Sequence, residues 1–191
     1  MPHRQEMHDA QMSVAFGVVM ALFARTAMAA HARTASEIAV TLATLAIIVC
    51  IWWWYTRLGN AFPSTTLVDH SLDYLMPVAL CWMSISMTSI SYWIVGWTMS
   101  SLVAIAKLLL VLTRTSWYEE LPDIAAGLRP SLWVALSSLL LVVAVSGHAW
   151  HVVMHHSEAP RIECIAWVWL PITLGVAATV VASYKFMRKV V

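Results

Sequence analysis

Charge is scarce in this chain: of 191 residues, Asp, Glu, Lys and Arg together make up 11%. A soluble globular domain carries about 25% charged residues, which cover its surface. A soluble enzyme with a polar shell is therefore excluded. Surplus charge of either sign is missing too, since the formal net charge is +1 and no basic block occurs. That excludes a nucleic-acid-binding protein, and a chain so poor in charge and rich in apolar residues is not disordered. The three cysteines, Cys50, Cys81 and Cys164, lie far apart with no C-x-x-C. A membrane thiol oxidoreductase would want paired thiols, so Cys50 and Cys81, inside apolar runs, read as small buried hydrophobes. No P-loop, G-x-G-x-x-G, G-x-S-x-G or H-E-x-x-H occurs either.

What fills the space is apolar. Hydrophobic residues make up 61% of the chain, and eleven residues are Trp. The fold class is all-α, a polytopic bundle of transmembrane helices. A bilayer core takes roughly 20 apolar residues per helix. Six stretches meet that need, at 11–30, 36–56, 72–91, 94–113, 131–152 and 164–184. From Leu72 to Leu112 the only charge after Asp73 is Lys107. As one helix that stretch would be roughly 60 Å long, twice the hydrocarbon thickness, so it must fold back. The sequence Tyr92-Trp93-Ile94-Val95-Gly96-Trp97 is expected to hold the turn. One transmembrane domain, 1–191, results, with no soluble domain.

Charge placement tests the count. With six spans, Arg4, Arg57, Arg114, Arg129, Lys185, Arg188 and Lys189 share one side, and only Arg33 and Arg161 lie on the other. The positive-inside rule then puts both termini in the cytoplasm, in a multi-pass protein of the cell's inner (plasma) membrane. Aromatic residues fall into two belts on the same assignment. Trp52 to Tyr55, Tyr74, Trp117, Tyr118, Trp133 and Tyr184 lie near one boundary; Tyr92, Trp93, Trp97, Trp150, Trp167 and Trp169 lie near the other. The first span also has the look of a signal peptide, with Met12 to Ala24 followed by Ala27-Met28-Ala29. Cleavage there would leave five spans. Arg4 is offset by Glu6 and Asp9, however, so the leading segment is barely basic and retention is the expectation.

The most pointed candidate for chemistry is the run Gly147 to Glu158, which holds His148, His151, His155 and His156. On a helix, His148, His151 and His155 fall at i, i+3 and i+7, on one face. Glu158, Glu163 and His31 belong to the same, non-cytoplasmic side. Imidazole and carboxylate suit a transition metal (Cu, Zn, Ni or Fe), and His on adjacent turns can hold one ion. The competing reading is a wet helix end where His and Trp are comfortable and bind nothing. His151 to His156 also resembles a box of the di-iron membrane desaturases, but those families need several boxes and no second one occurs. One b-type haem, needing two axial His on different helices, is a further alternative, with only His31 to pair with the cluster.

Ionisable residues inside spans are the second group. Arg25 lies near the outer end of the first span. Lys107 and Asp73 lie toward the cytoplasmic ends of the fourth and third, where a hairpin would let them pair or serve an ion path. The third span is rich in hydroxyls, and Ser84, Thr88 and Ser91 would share a helical face. Such residues serve as packing glue between helices or line a path. Pro77 and Pro171 lie inside the third and sixth spans, where each frees a carbonyl. The loop from Arg114 to Pro130 reads as a short amphipathic segment on the headgroups or a partner.

The run Cys50 to Pro63, with three Trp, a Tyr and then Gly-Asn before Pro, is similar to a segment of the bacterial low-temperature-requirement membrane proteins. The acidic first-helix motif of that family is missing, and no site residue is carried over. Three functions follow as expectations. One is a small transporter, channel or metal-handling protein with the His/Glu cluster at its outer face. The others are an accessory subunit packed in a homo-oligomer or larger membrane complex, and a single-haem redox protein. The lipid bilayer is the common partner and nucleic acid is not one.

Overall fold

Residues 2–29, 35–61, 66–113 and 122–155 are described by a computed structural model, and all but a short turn are helical. The helices are α1 (Pro2–Ala29), α2 (Ala35–Ala61), α3 (Leu67–Ile85), α4 (Ile90–Thr113) and α5 (Pro122–His155). The all-α expectation holds for these residues. Three segments are long and apolar enough to cross a membrane, Asp9–Ala29 in α1, Ser91–Thr113 in α4 and Leu132–His151 in α5. They mark a membrane protein. α2 carries a shorter apolar stretch, Val40–Thr56. The expected sixth span, 164–184, lies outside the described residues.

The chain divides into two units, residues 1–100 and 101–191, with the division inside α4. In the first, α1 packs mainly along α3, and α2 touches both. The Tyr74 hydroxyl of α3 donates to Gln11 of α1, and Phe16 of α1 lies 4.6 Å from the Trp52 ring and 6.1 Å from Tyr55 of α2. Tyr55, late in α2, meets Leu72, early in α3, while Thr44, early in α2, meets Trp93 just past the end of α3, so α2 runs against α3. Met83, near the end of α3, meets Gly96, near the start of α4. The helices α2, α3 and α4 alternate in direction.

On α1, Met12, Phe16, Val19 and Phe23 recur at helical spacing and are buried, while Val14, Val18 and Met28 are exposed. A helix apolar on both faces suits an apolar surrounding rather than water. Its inner face is core, and the helix runs unbroken through Ala27-Met28-Ala29.

The start of α3 is set by a capping box. Thr66 Oγ1 accepts from the Asp69 backbone N–H at 3.3 Å, and Asp69 Oδ2 accepts from the Thr66 N–H at 3.1 Å. Its end is set by Ser86, whose N–H reaches Trp82 O at 3.1 Å, and Ser89 N–H then closes onto Ser86 O at 2.9 Å. The hairpin turn is therefore Ser86–Ser89, ahead of the expected Tyr92–Trp97. Small hydroxylated residues supply the cap and turn. Gly96 has another task. A Cβ there would stand 2.8 Å from Met83 Cα and 2.9 Å from Met83 N, so its bare Cα lets two backbones touch.

Trp93 and Trp97 flank this contact, with ring centroids 5.8 Å apart. Both are buried. Trp93 has a polar partner in the core: its Nε1–H donates to Thr44 Oγ1 on α2 at 2.9 Å. Thr44 in turn donates to Val40 O at 2.7 Å. Thr44→Val keeps the shape and leaves the indole N–H buried without an acceptor, at a cost of about 1–3 kcal/mol. Thermal unfolding in detergent should show that loss. Trp93→Phe in the same background should add much less than it does alone.

In the second unit, Ile105, Leu108 and Val111 are buried on α4, and Leu132, Ala135, Leu136 and Val142 on α5. α5 spans 34 residues and opens at Pro122, where a missing N–H is harmless. The second half of the 114–130 segment is thus the start of a long helix rather than a separate surface piece, and Pro130 lies within it.

Candidate functional site

α3 turns its ionisable side chains inward. Asp69 and Asp73, four residues apart, share one face and are 2% and 1% exposed. A carboxylate inside an apolar bundle is costly and is kept for a reason. For Asp69 the reason is local, since it is the acceptor of the capping box at the helix start. Asp73, a full turn further in, caps nothing.

The group that faces Asp73 from α2 is Tyr55. Its hydroxyl donates to Leu72 O at 3.3 Å and lies within hydrogen-bonding reach of the Asp73 carboxylate. Phe16 of α1 packs on the Tyr55 ring. The Asp73 side chain is buried and engages Tyr55. Pro77 adds a further feature. It lies inside α3 and is buried. Proline has no N–H, and in a regular helix its N–H would serve the carbonyl four residues back. That carbonyl belongs to Asp73.

The locus therefore gathers a carboxylate, the Leu72 backbone carbonyl and a phenol hydroxyl. All are oxygens. Oxygen sets suit protons and hard cations, whereas Cu and Zn favour nitrogen and sulfur. Sequence reasoning placed Tyr55 in an aromatic belt and did not connect it with Asp73.

The other candidates distribute as follows. Ser84 is buried and donates to Leu80 O at 2.8 Å within its own helix. Thr88 is exposed in the turn, and Ser91 is half-buried in the first turn of α4. α3 ends at Ile85, so the three hydroxyls do not form one helical face. Arg25 is exposed on α1. Lys107 is half-buried on α4, in the second unit. His148 and His151 are exposed on α5, which continues as a helix to His155, so the three share a face by register. His31, His156, Glu158 and Glu163 lie outside the described residues. Among the described residues no three His, Cys, Asp or Glu side chains come together as a metal site.

No family model matches the chain, and neither a curated protein nor a solved structure is similar to it.

Proposed function

We propose that this chain is a six-span transporter or channel of the inner membrane, cytoplasmic at both termini, that moves protons or small hard cations through Asp73. The observation that carries the reading is the burial of Asp73 in α3 against Tyr55, at a position where no helix cap explains it. An ionisable residue turned into a membrane bundle marks a path or a relay by default. The carboxylate takes up a proton or a cation, and the Tyr55 hydroxyl turns toward either Asp73 or the Leu72 carbonyl. The six-span count is supported by the alternation of α2 to α4 and by the charge bias.

The test is a flux assay. Purified protein in liposomes should dissipate an imposed proton or sodium gradient faster than empty liposomes, and Asp73→Asn should return the rate to that of empty liposomes. Equal rates for wild type and Asp73→Asn overturn the reading.

A second reading, metal capture at the outer face, is favoured by the unbroken register of α5 through His155. Protein purified with Zn or Cu and passed through a desalting column should then retain metal. His148→Ala/His151→Ala should retain less; equal metal content in the two removes the His face from the account.

A further inference from the structure

α3 is not among the helices long and apolar enough to cross a membrane by composition. Its polarity is nevertheless inverted relative to a helix that faces water. Asp69, Asp73 and Ser84 point into the unit, while Leu67, Leu75, Val78, Trp82 and Ile85 point out, Leu67 at 82% and Val78 at 61% exposure. A surface helix in water shows the opposite arrangement. From Leu67 to Ile85 the helix has 19 residues. That is roughly 28 Å at 1.5 Å per residue, close to the hydrocarbon thickness of about 30 Å. It also lies along α1, which has the length and composition to cross.

We propose that the outward face of α3 is in direct contact with lipid acyl chains. α3 is then a full membrane helix that composition alone conceals, because the two carboxylates lowering its hydropathy never meet the lipid. A stripe of large apolar side chains of hydrocarbon length, with every charge on the opposite face, fits acyl chains. The inference rests on the membrane placement above and not on the transport role of Asp73.

The test uses the full chain, with Cys50, Cys81 and Cys164 replaced by Ala and one cysteine introduced by Leu75→Cys or Val78→Cys. Each is spin-labelled in liposomes and compared with a buried reference, Leu80→Cys. Oxygen, which partitions into hydrocarbon, and a water-soluble nickel chelate serve as relaxation probes. Lipid contact predicts high oxygen and low nickel accessibility at both outward positions, and low values for both probes at Leu80→Cys. Low values for both probes at Leu75→Cys and Val78→Cys would mean that protein, such as a second copy, covers the face; this overturns lipid contact and leaves the membrane placement standing. High nickel accessibility would put the face in water and overturn both. Two outward positions keep the result readable if one label disturbs folding.

Discussion

Gly96→Leu is expected to separate α3 from α4 and leave little folded protein. The atoms that a Cβ at residue 96 would meet are Met83 Cα at 2.8 Å and Met83 N at 2.9 Å, both backbone. A flexible side chain could swing away; a helix backbone must translate as a whole. Adding one methylene-sized group to a packed site costs about 1–3 kcal/mol, and Gly96→Ala is expected to fall in that range. Leu adds three further carbons at the same point. The displacement also pulls on Trp93, one helical turn away, and so on its buried bond to Thr44. Within a bilayer, lipid tails are as apolar as the core, so helices associate through close van der Waals contact and interhelical hydrogen bonds. Both are lost at once here. Size-exclusion profiles and thermal unfolding in detergent should show aggregation for Gly96→Leu and a lowered midpoint for Gly96→Ala. Gly17 is the comparison, since nothing stands within 4 Å of a Cβ there. Gly17→Ala should be neutral or stabilising by up to about 1 kcal/mol through helix propensity. A wild-type profile for Gly96→Leu would mean that the two backbones do not touch.

How far this arrangement can be read from sequence depends on the kind of interaction. The helices themselves follow from long apolar runs, and α1, α4 and α5 fall close to the stretches marked as spans at 11–30, 94–113 and 131–152. The boundary between α3 and α4 does not follow so directly. Gly96 reads as a turn former when its neighbours along the chain are the only information, and it becomes a contact residue only once Met83 is known to lie against it. The hydroxyls of residues 84–91 show the converse. Their spacing fits one helical face, yet Ser86 and Ser89 end the helix with their own backbone groups, and the face dissolves. Trp93 is a third case. Its indole N–H needs a partner when buried, and Thr44, 49 residues away in sequence, supplies an acceptor that spacing does not reveal. Asp73 was legible as an intramembrane charge, expected opposite Lys107. Tyr55 was not legible, because its relation to Asp73 exists only through the packing of α2 on α3.

The carboxylates Asp73 and Asp69 lead to opposite expectations, and the contrast is the sharpest test of the proposed role of Asp73. Asp73→Asn should abolish gradient dissipation and at the same time raise stability, by about 1 kcal/mol. Amide and carboxylate have nearly the same shape, so packing against Tyr55 is kept. A neutral group replaces one whose charged form is costly to hold in an apolar bundle. Residues kept for function against stability commonly return stability of this size when neutralised. Asp69→Ala should behave the other way. It removes the acceptor for the Thr66 N–H and opens the capping box, lowering stability by about 1 kcal/mol. Flux should persist, because Asp73 and Tyr55 stay in place. Tyr55→Phe separates the two further. It removes the hydroxyl that reaches both Leu72 O and Asp73 while keeping the ring on Phe16. Slower flux with little change in unfolding midpoint is the expected result. If Asp73→Asn instead lowers stability and Asp69→Ala stops flux, the roles of cap and carrier are reversed, and Asp69 is the group through which ions pass.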